Sequence, residues 1–349
     1  MRLEDFGYDL PKELIAQYPS KTRGDDRLLV CDRPKNRFEE KKFEDIVNYF
    51  NKNDQLVLNN TKVMPARLFG KRKTGGNVEI FILDKTKSPV EALIRPSTKI
   101  KDGEEILLES DYKAKVSGKT EIGRFVEFNE PLDEILNKCG HVPLPPYISR
   151  QDEPKDKERY QTVYAKDEGA TASPTAGLHF TNELLRGLSE KGVRISYITL
   201  HVSYGTFAPI KEDEIEKHKM HSEYYRISKE DVTIINEARN RKSDIIACGT
   251  TSLRAIETCA DKFINYIPQA HSYGGMKFNG FEGFTNLFIY PGYNFRIVNK
   301  LITNFHLPKS TLLLLTCAFA GKELIFKAYD YAIKNKFRFF SYGDAMLIL

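Results

Sequence analysis

The sequence predicts an α/β fold: a layered α/β main domain built from both ends of the chain, with a small antiparallel β-barrel domain inserted into it. Three observations carry that expectation. Strand-like and helix-like runs alternate on both sides of residues 67–150. Within that stretch the pattern changes to short β-like runs separated by Gly, Pro, Asp and Lys turns. The repeated β-then-α order outside it calls for a partly parallel sheet covered by helices. Residues 1–66 and 151–349 therefore form the expected α/β domain, and 67–150 the expected barrel. With 349 residues, 41% of them hydrophobic, the chain is long enough to bury two cores.

In chain order, NVEIFIL, PVEALIRP, EEILLE, YKAKVSG and GRFVEFN read as the barrel strands. HVPLPPYI follows, and its prolines favour an extended connection or docked edge over a helix. Thr181 is a plausible N-cap for a helix whose Leu184, Leu185 and Leu188 share a face and whose far end Gly192 can close. VRISYITLHV and SEYYRIS read as strands. Ser228 with Asp231 starts a capped helix over KEDVTIINEARNRK. DIIACG is a strand and TTSLRAIETCADKF a helix. TNLFIY, a PGY turn and FRIV come next as strands, then two helices, the first capped by Ser310, and the closing run RFFSYGDAMLIL.

Composition excludes several classes. No run approaches the roughly 20 apolar residues of a membrane span, and MRLEDFGYDLPKEL lacks a signal core, so a cytoplasmic protein with no membrane contact is expected. Five widely spaced cysteines without a CxxC pair read as reduced core residues, not as a zinc or disulfide framework. The net charge of +5 permits a polyanionic partner, and seven basic against three acidic residues from Lys300 to Leu349 make the C-terminal end the better phosphate-facing candidate.

The residues that carry chemistry cluster in a few motifs. Ser173-Pro174-Thr175-Ala176-Gly177-Leu178-His179 packs hydroxyls, a turn glycine and a histidine just ahead of a helix start, where backbone N–H groups can meet a ligand, although the same composition serves ordinary turns and caps. His201 ends a strand, at the edge where open α/β sheets bind ligands. His218 and His221 are three apart, so on a helical turn they would share a face near Glu223; without HExxH spacing or a third ligand, an acid–base or anchoring role fits better than a metal. Cys248-Gly249-Thr250-Thr251-Ser252 leaves a strand and opens a helix carrying Arg254, so amides, hydroxyls and a guanidinium can converge on an anion. Thr303 to Ser310 and Ser341 to Asp344 also place polar groups at element ends. Asp344 reads as a turn former or as a base in a partly dry pocket. There is no Walker loop, no GxGxxG after a strand (Gly75-Gly76 and Gly274-Gly275 are isolated pairs) and no GxSxG elbow.

Taken together, LVLNNTKVMPARLFG, HVPLPPYI, RYQTVYA, SPTAGLHFT, TLHVSYGTFAPI, HKMHSEYY, CGTTSLRAIE, TNLFIYPGY, LITNFHLPKSTLL and FRFFSYGDAML resemble, in this order and along the whole chain, the S-adenosylmethionine:tRNA ribosyltransferase-isomerase family. Tyr204 and Ser173 stand where the family pattern has smaller residues. The resemblance implies an α/β domain with an inserted barrel. It also implies transfer of the ribosyl part of the co-substrate S-adenosylmethionine to 7-aminomethyl-7-deazaguanine at the tRNA wobble position, giving epoxyqueuosine, adenine and methionine.

Protons beside a sulfonium are acidic, so a base acting at the ribose C5′ can trigger adenine loss, and a second group should protonate the adenine. His201, His218 and His221 are the candidates for these transfers, with Asp344 as base or orienter. Thr175, His179, Thr250, Thr251 and Arg254 are the candidates for holding S-adenosylmethionine. No metal or prosthetic group is called for. A tRNA anticodon stem-loop needs cations and aromatic surfaces; Lys334, Lys336, Phe337, Arg338, Phe339 and Phe340, or Lys71, Arg72 and Lys73 on the barrel, could supply them, though FRFF also suits a strand core. A non-catalytic tRNA-binding module and an ordinary methyltransferase are the competing readings; the strand-end histidines speak against the first, and the missing Gly-rich βα turn against the second.

Overall fold

The structure, a computed structural model, describes residues 1–203, 205, 210–266 and 278–349. Its N-terminal part supplies β1 (Arg27–Asp32), β2 (Arg37–Lys42), β3 (Gln55–Asn59) and β4 (Thr61–Val63). The antiparallel strands β5 (Arg67–Arg72), β6 (Asn77–Asp84), β7 (Val90–Arg95), β8 (Glu105–Leu108), β9 (Lys113–Lys119) and β10 (Arg124–Phe128) then close a barrel in the order β10-β7-β6-β5-β8-β9. Five of these are the runs read from the sequence; the sixth, β5, arises from ARLFGKR.

Alternation decides the barrel interior: Val78, Ile80 and Ile82 of β6 point inward, while Glu79 and Phe81 face outward. Helix α1 (Leu132–Cys139) joins this core through Ile135, Leu136 and Cys139.

After the short α2 (Asp156–Arg159), β11 (Asp167–Ala170) pairs with β4. The remaining elements are α3 (Asn182–Glu190), β12 (Arg194–Leu200), β13 (Glu223–Ser228), α4 (Lys229–Asn240), β14 (Ile245–Cys248), α5 (Gly249–Thr258), α6 (Ala260–Ile264), β15 (Gly280–Thr285), β16 (Lys300–Asn304), α7 (Thr311–Ala320), α8 (Lys322–Lys334) and β17 (Ala345–Ile348). A nine-stranded sheet runs β15-β13-β12-β3-β14-β16-β17-β1-β2. Its central strands β12, β3, β14 and β16 are mutually parallel, and the outer pairings are mostly antiparallel.

Both faces of this sheet are covered, which is why its central strands read as nearly unbroken apolar runs. Leu29, Val57, Ala247 and Leu301 pack with Ile235 of α4, Leu253 of α5 and Ile325 of α8. Leu28, Leu56, Ile246 and Ile302 face Leu185 and Leu188 of α3 together with Phe43 and Phe180. Fully burying one such leucine contributes about 1.5–3 kcal/mol. The predicted caps are present: the Thr181, Ser228 and Ser310 hydroxyls accept from the backbone N–H of Leu184, Asp231 and Leu313.

Three local expectations differ from the structure. TNLFIY and FRIV are not strands. The Glu257 carboxylate accepts the N–H groups of Arg296, Ile297 and Val298, so a side chain takes the place of a ladder there, and the strand forms later, as β16. TTSLRAIETCADKF is broken at Cys259 into α5 and α6. HKMH does not form a helical turn, because His218 is already extended after the short turn Ile215–Lys217.

Candidate active site

At the carboxyl ends of β14 and β16 the chain leaves the sheet in two directions, and a cavity of about 540 Å³, including space open to solvent, lies between the exits. Gly249 makes the turn from β14 into α5 at φ +87°, a conformation that favours glycine. Thr250 and Thr251 of α5, Asn304 at the end of β16, and Ser173 and Thr175 from the SPTAG segment line the space. Tyr147 and Ser341 close another wall, their hydroxyls 2.6 Å apart. Segments far apart in the chain thus meet here, as their shared polar composition predicts.

The lining holds no Asp, Glu, Lys or Arg among the described residues. It is a wall of hydroxyls, an amide and apolar groups, suited to an uncharged, hydrogen-bonding moiety. Ser173 is buried and its Oγ has no hydrogen-bond partner among the described residues, so it is a group for a ligand to satisfy. His306 is also in the wall. Burial pushes its pKa down to about 3, and Nε2 lies 2.7 Å from the Thr303 hydroxyl, so its imidazole is neutral at working pH.

Behind the wall a chain of polar contacts fixes Asn304. Burial alone would raise the Asp26 carboxyl, but His179 and Arg338 hold it below its ordinary value. The Asp26 carboxylate is 2.7 Å from His179 Nδ1, and His179 Nε2 lies 3.2 Å from Asn304 Nδ2. Asn304 Nδ2 also reaches the Phe340 carbonyl, so Oδ1 is left to accept from Thr175 Oγ1, at 3.2 Å, on the cavity side. His179 therefore orients a lining residue instead of lining the cavity itself. Asp26 was not singled out by sequence, since an acid in GDDR has no distinguishing pattern. Tyr147 was hidden in a segment read only as a connection.

The other expected site residues do not converge here. Asp344 accepts the backbone N–H groups of Arg27 and Arg338 at 3.0 and 2.7 Å, one on each carboxylate oxygen, and does not line the cavity. Arg254 lies off the cavity: its buried guanidinium pairs with Glu223 and donates to the Leu287 carbonyl, so it does not join Thr250 and Thr251 on an anion. His218 pairs with Glu212 at 3.0 Å and not with His221 or Glu223. His221 is exposed and packs over Gly205. Tyr204 and the Gly274-Gly275 pair lie outside the described residues.

His201 has a different setting. Its half-buried ring stacks on Tyr224, Nδ1 is 2.8 Å from Thr61 Oγ1, and Nε2 abuts Gly169. Burial lowers its pKa; Asp167 counteracts and Arg226 adds to that lowering. The adjacent Val202 lines the cavity.

The aromatic platform expected at FRFF is core: Phe337, Phe339 and Phe340 are buried, and Arg338 is held by Asp26. The barrel cations are not on one loop: Lys71 and Arg72 end β5 and Lys73 opens the turn after it, and Arg72 and Lys73 are paired with Glu104 and Glu105. Among the described residues no group of His, Cys, Asp or Glu could hold a metal ion, and no helix is long and apolar enough to cross a membrane. The five cysteines are buried and unpaired.

Gly177 sits where the SPTAG turn passes Tyr164. A Cβ there would lie 2.0 Å from the tyrosine hydroxyl oxygen and 2.8 Å from Thr162 Cγ2. Gly177→Ala is expected to cost about 1–3 kcal/mol through overpacking, read as a lower urea midpoint; an unchanged midpoint would show that the turn yields freely.

Comparison with known proteins bears on the chain as a whole. A family model described as a queuosine biosynthesis protein matches residues 3–348. An S-adenosylmethionine:tRNA ribosyltransferase-isomerase of a Sulfurihydrogenibium species is 50% identical, with all of both chains covered. The protein of the same name from Acetivibrio thermocellus is 48% identical over the same full coverage. The crystal structure of S-adenosylmethionine tRNA ribosyltransferase from Thermotoga maritima is similar with a TM-score of 0.55 and 35% identity, covering 99% of this chain and 100% of that one.

Proposed function

The chain belongs to the S-adenosylmethionine:tRNA ribosyltransferase-isomerase family of queuosine-biosynthesis enzymes, and on that premise we propose that it moves the ribosyl part of S-adenosylmethionine onto 7-aminomethyl-7-deazaguanine at the tRNA wobble position. The products are epoxyqueuosine in the RNA, adenine and methionine. With this goes the division into an α/β unit of residues 1–66 and 151–349 and an inserted barrel unit of 67–150.

The observation that carries the reading is the uncharged, hydroxyl-lined cavity at the carboxyl ends of β14 and β16. An adenosine moiety is neutral and rich in hydrogen-bonding edges, which fits Ser173, Thr175, Thr250, Thr251 and Asn304. The start of α5 at Gly249 and Thr250 offers backbone N–H groups to the methionine carboxylate. With no carboxylate in the wall and His306 holding little basicity, we assign the proton removal next to the sulfonium to His201. Burial holds its pKa below the ordinary histidine value, and its neighbour Val202 lines the wall. Asp26, His179 and Asn304 act as a positioning relay for the bound nucleoside.

The deciding test incubates the protein with S-adenosylmethionine and an anticodon stem-loop bearing 7-aminomethyl-7-deazaguanine. Adenine and methionine should appear together with a ribosyl-derived mass gain on the RNA. S-Adenosylhomocysteine with a methyl-sized gain would replace this reading with methyl transfer. RNA binding without any small product would replace it with a non-catalytic module.

A further inference from the structure

The wall of the hydroxyl-lined cavity has a fixed hydrogen-bonding sense, and two buried amides set it. A hydroxyl carries one hydrogen, so its role toward a ligand depends on where that hydrogen already goes. Thr175 Oγ1 donates to Asn304 Oδ1 at 3.2 Å. Asn304 cannot turn its amide round, because Nδ2 lies 3.2 Å from the Phe340 carbonyl, which only accepts. The Thr175 hydrogen is therefore spent, and toward the cavity this oxygen can only accept.

Thr251 is set the opposite way. At the end of β3, the fully buried Asn59 takes the N–H groups of Thr61 and Leu200 on Oδ1, at 3.1 and 3.0 Å, and donates from Nδ2 to the Leu200 carbonyl at 3.0 Å. These backbone partners fix its orientation, so Nδ2, 3.2 Å from Thr251 Oγ1, donates there as well. Thr251 accepts from Asn59, and among the described residues its own hydrogen has no acceptor. A hydroxyl in the cavity wall is thus left as a donor for a ligand.

The segments that carry the two threonines approach one point. A Cβ on Gly249 would stand 3.5 Å from Thr251 Oγ1 and 3.7 Å from Cβ of Ala176, the neighbour of Thr175. An acceptor near a donor matches one edge of adenine, where an exocyclic amino group adjoins an unprotonated ring nitrogen. A 6-oxopurine presents the reverse, a carbonyl beside a ring N–H. Val202, Leu307 and Phe340 of the same lining supply apolar surface for the faces of the ring.

We propose that Thr175 accepts from the amino group of the base and Thr251 donates to the ring nitrogen beside it, so that the cavity selects 6-aminopurine over 6-oxopurine donors, with Asn304 and Asn59 as positioning residues. The proposal deepens the reading above and rests on it for the nucleoside in the cavity. Asn59 also ties this wall to the proton acceptor assigned above, since the Thr61 it holds has its hydroxyl 2.8 Å from His201 Nδ1.

The test measures, by calorimetry on the full-length protein in the presence of the anticodon stem-loop, the affinities of S-adenosylhomocysteine and S-inosylhomocysteine, unreactive ligands that differ at this edge. The wild-type protein is expected to bind the inosine ligand at least about tenfold more weakly, because both contacts are reversed. Thr175→Val and Thr251→Val should each weaken the adenosine ligand about two- to tenfold and narrow the gap between the two ligands. Asn59→Asp keeps an oxygen for the Thr61 and Leu200 N–H groups but draws the Thr251 hydrogen away from the cavity, and should match Thr251→Val. Side chains with only a structural role would weaken both ligands alike, and an unchanged ratio in the two valine variants would overturn the proposal. Equal wild-type affinities would also overturn it while leaving the S-adenosylmethionine reading of the cavity in place, whereas binding of neither ligand would overturn both. The expected ratios without release of adenine from S-adenosylmethionine would keep the specificity site and reject the transfer reading.

Discussion

Glu223→Ala is expected to destabilise the protein by about 3–5 kcal/mol, a large part of the 5–15 kcal/mol that holds a typical domain folded. Glu223 and Arg254 are each less than one-tenth exposed, and the carboxylate joins β13 to α5 while also accepting the N–H of Ser203 at 3.0 Å. Removing the acid leaves a guanidinium buried without its counter-charge. Urea unfolding of the two single variants and of Glu223→Met/Arg254→Met separates the effects. The single changes should lower the midpoint strongly, and the apolar pair should recover much of it, because an ion pair replaced as a unit leaves no orphaned charge. A Glu223→Ala midpoint within about 0.5 kcal/mol of wild type would mean that water reaches Arg254. The pair matters for function through geometry: β13 carries Tyr224, on which His201 stacks.

His201→Gln is expected to lower kcat by about 10²–10⁴, the usual contribution of a positioned general base, with S-adenosylmethionine affinity retained because His201 is not in the cavity wall. A general base works deprotonated, so the rate falls as pH drops through its pKa. Burial, the largest influence, and Arg226 lower that pKa from the ordinary 6.5, while Asp167 raises it. The acid limb of the pH–rate profile should therefore lie below pH 6.5. Arg226→Gln removes one of the lowering influences and should move the limb upward, whereas a purely structural histidine would leave the profile where it was. Full activity of His201→Gln with an unaltered acid limb would assign the proton transfer elsewhere.

Much of the fold is legible in local pattern. The barrel strands, the caps at Thr181, Ser228 and Ser310, and the strand-to-helix turn at Gly249 each follow from residues within a few positions of one another, where periodicity, hydroxyl caps and glycine conformations act. The missed strand β16 and the non-ladder backbone of residues 295–298 depend instead on Glu257, about forty positions away. The site shows the same division. Ser173, Thr175, Thr250 and Thr251 stand out as hydroxyls at element ends, and they do meet. Arg254 and Asp344 stand out for the same reason, yet each is used up by a distant partner, Glu223 or the backbone of Arg27.

The sequence by itself determined the fold class, the order of the motifs and the family, because these reside in spacing along the chain. Only the tertiary structure decided which polar side chains face open space and which are spent inside. A buried donor or acceptor must find a partner, and that partner is chosen by proximity in space, as His179 finds Asp26 and Asn304 from opposite ends of the chain.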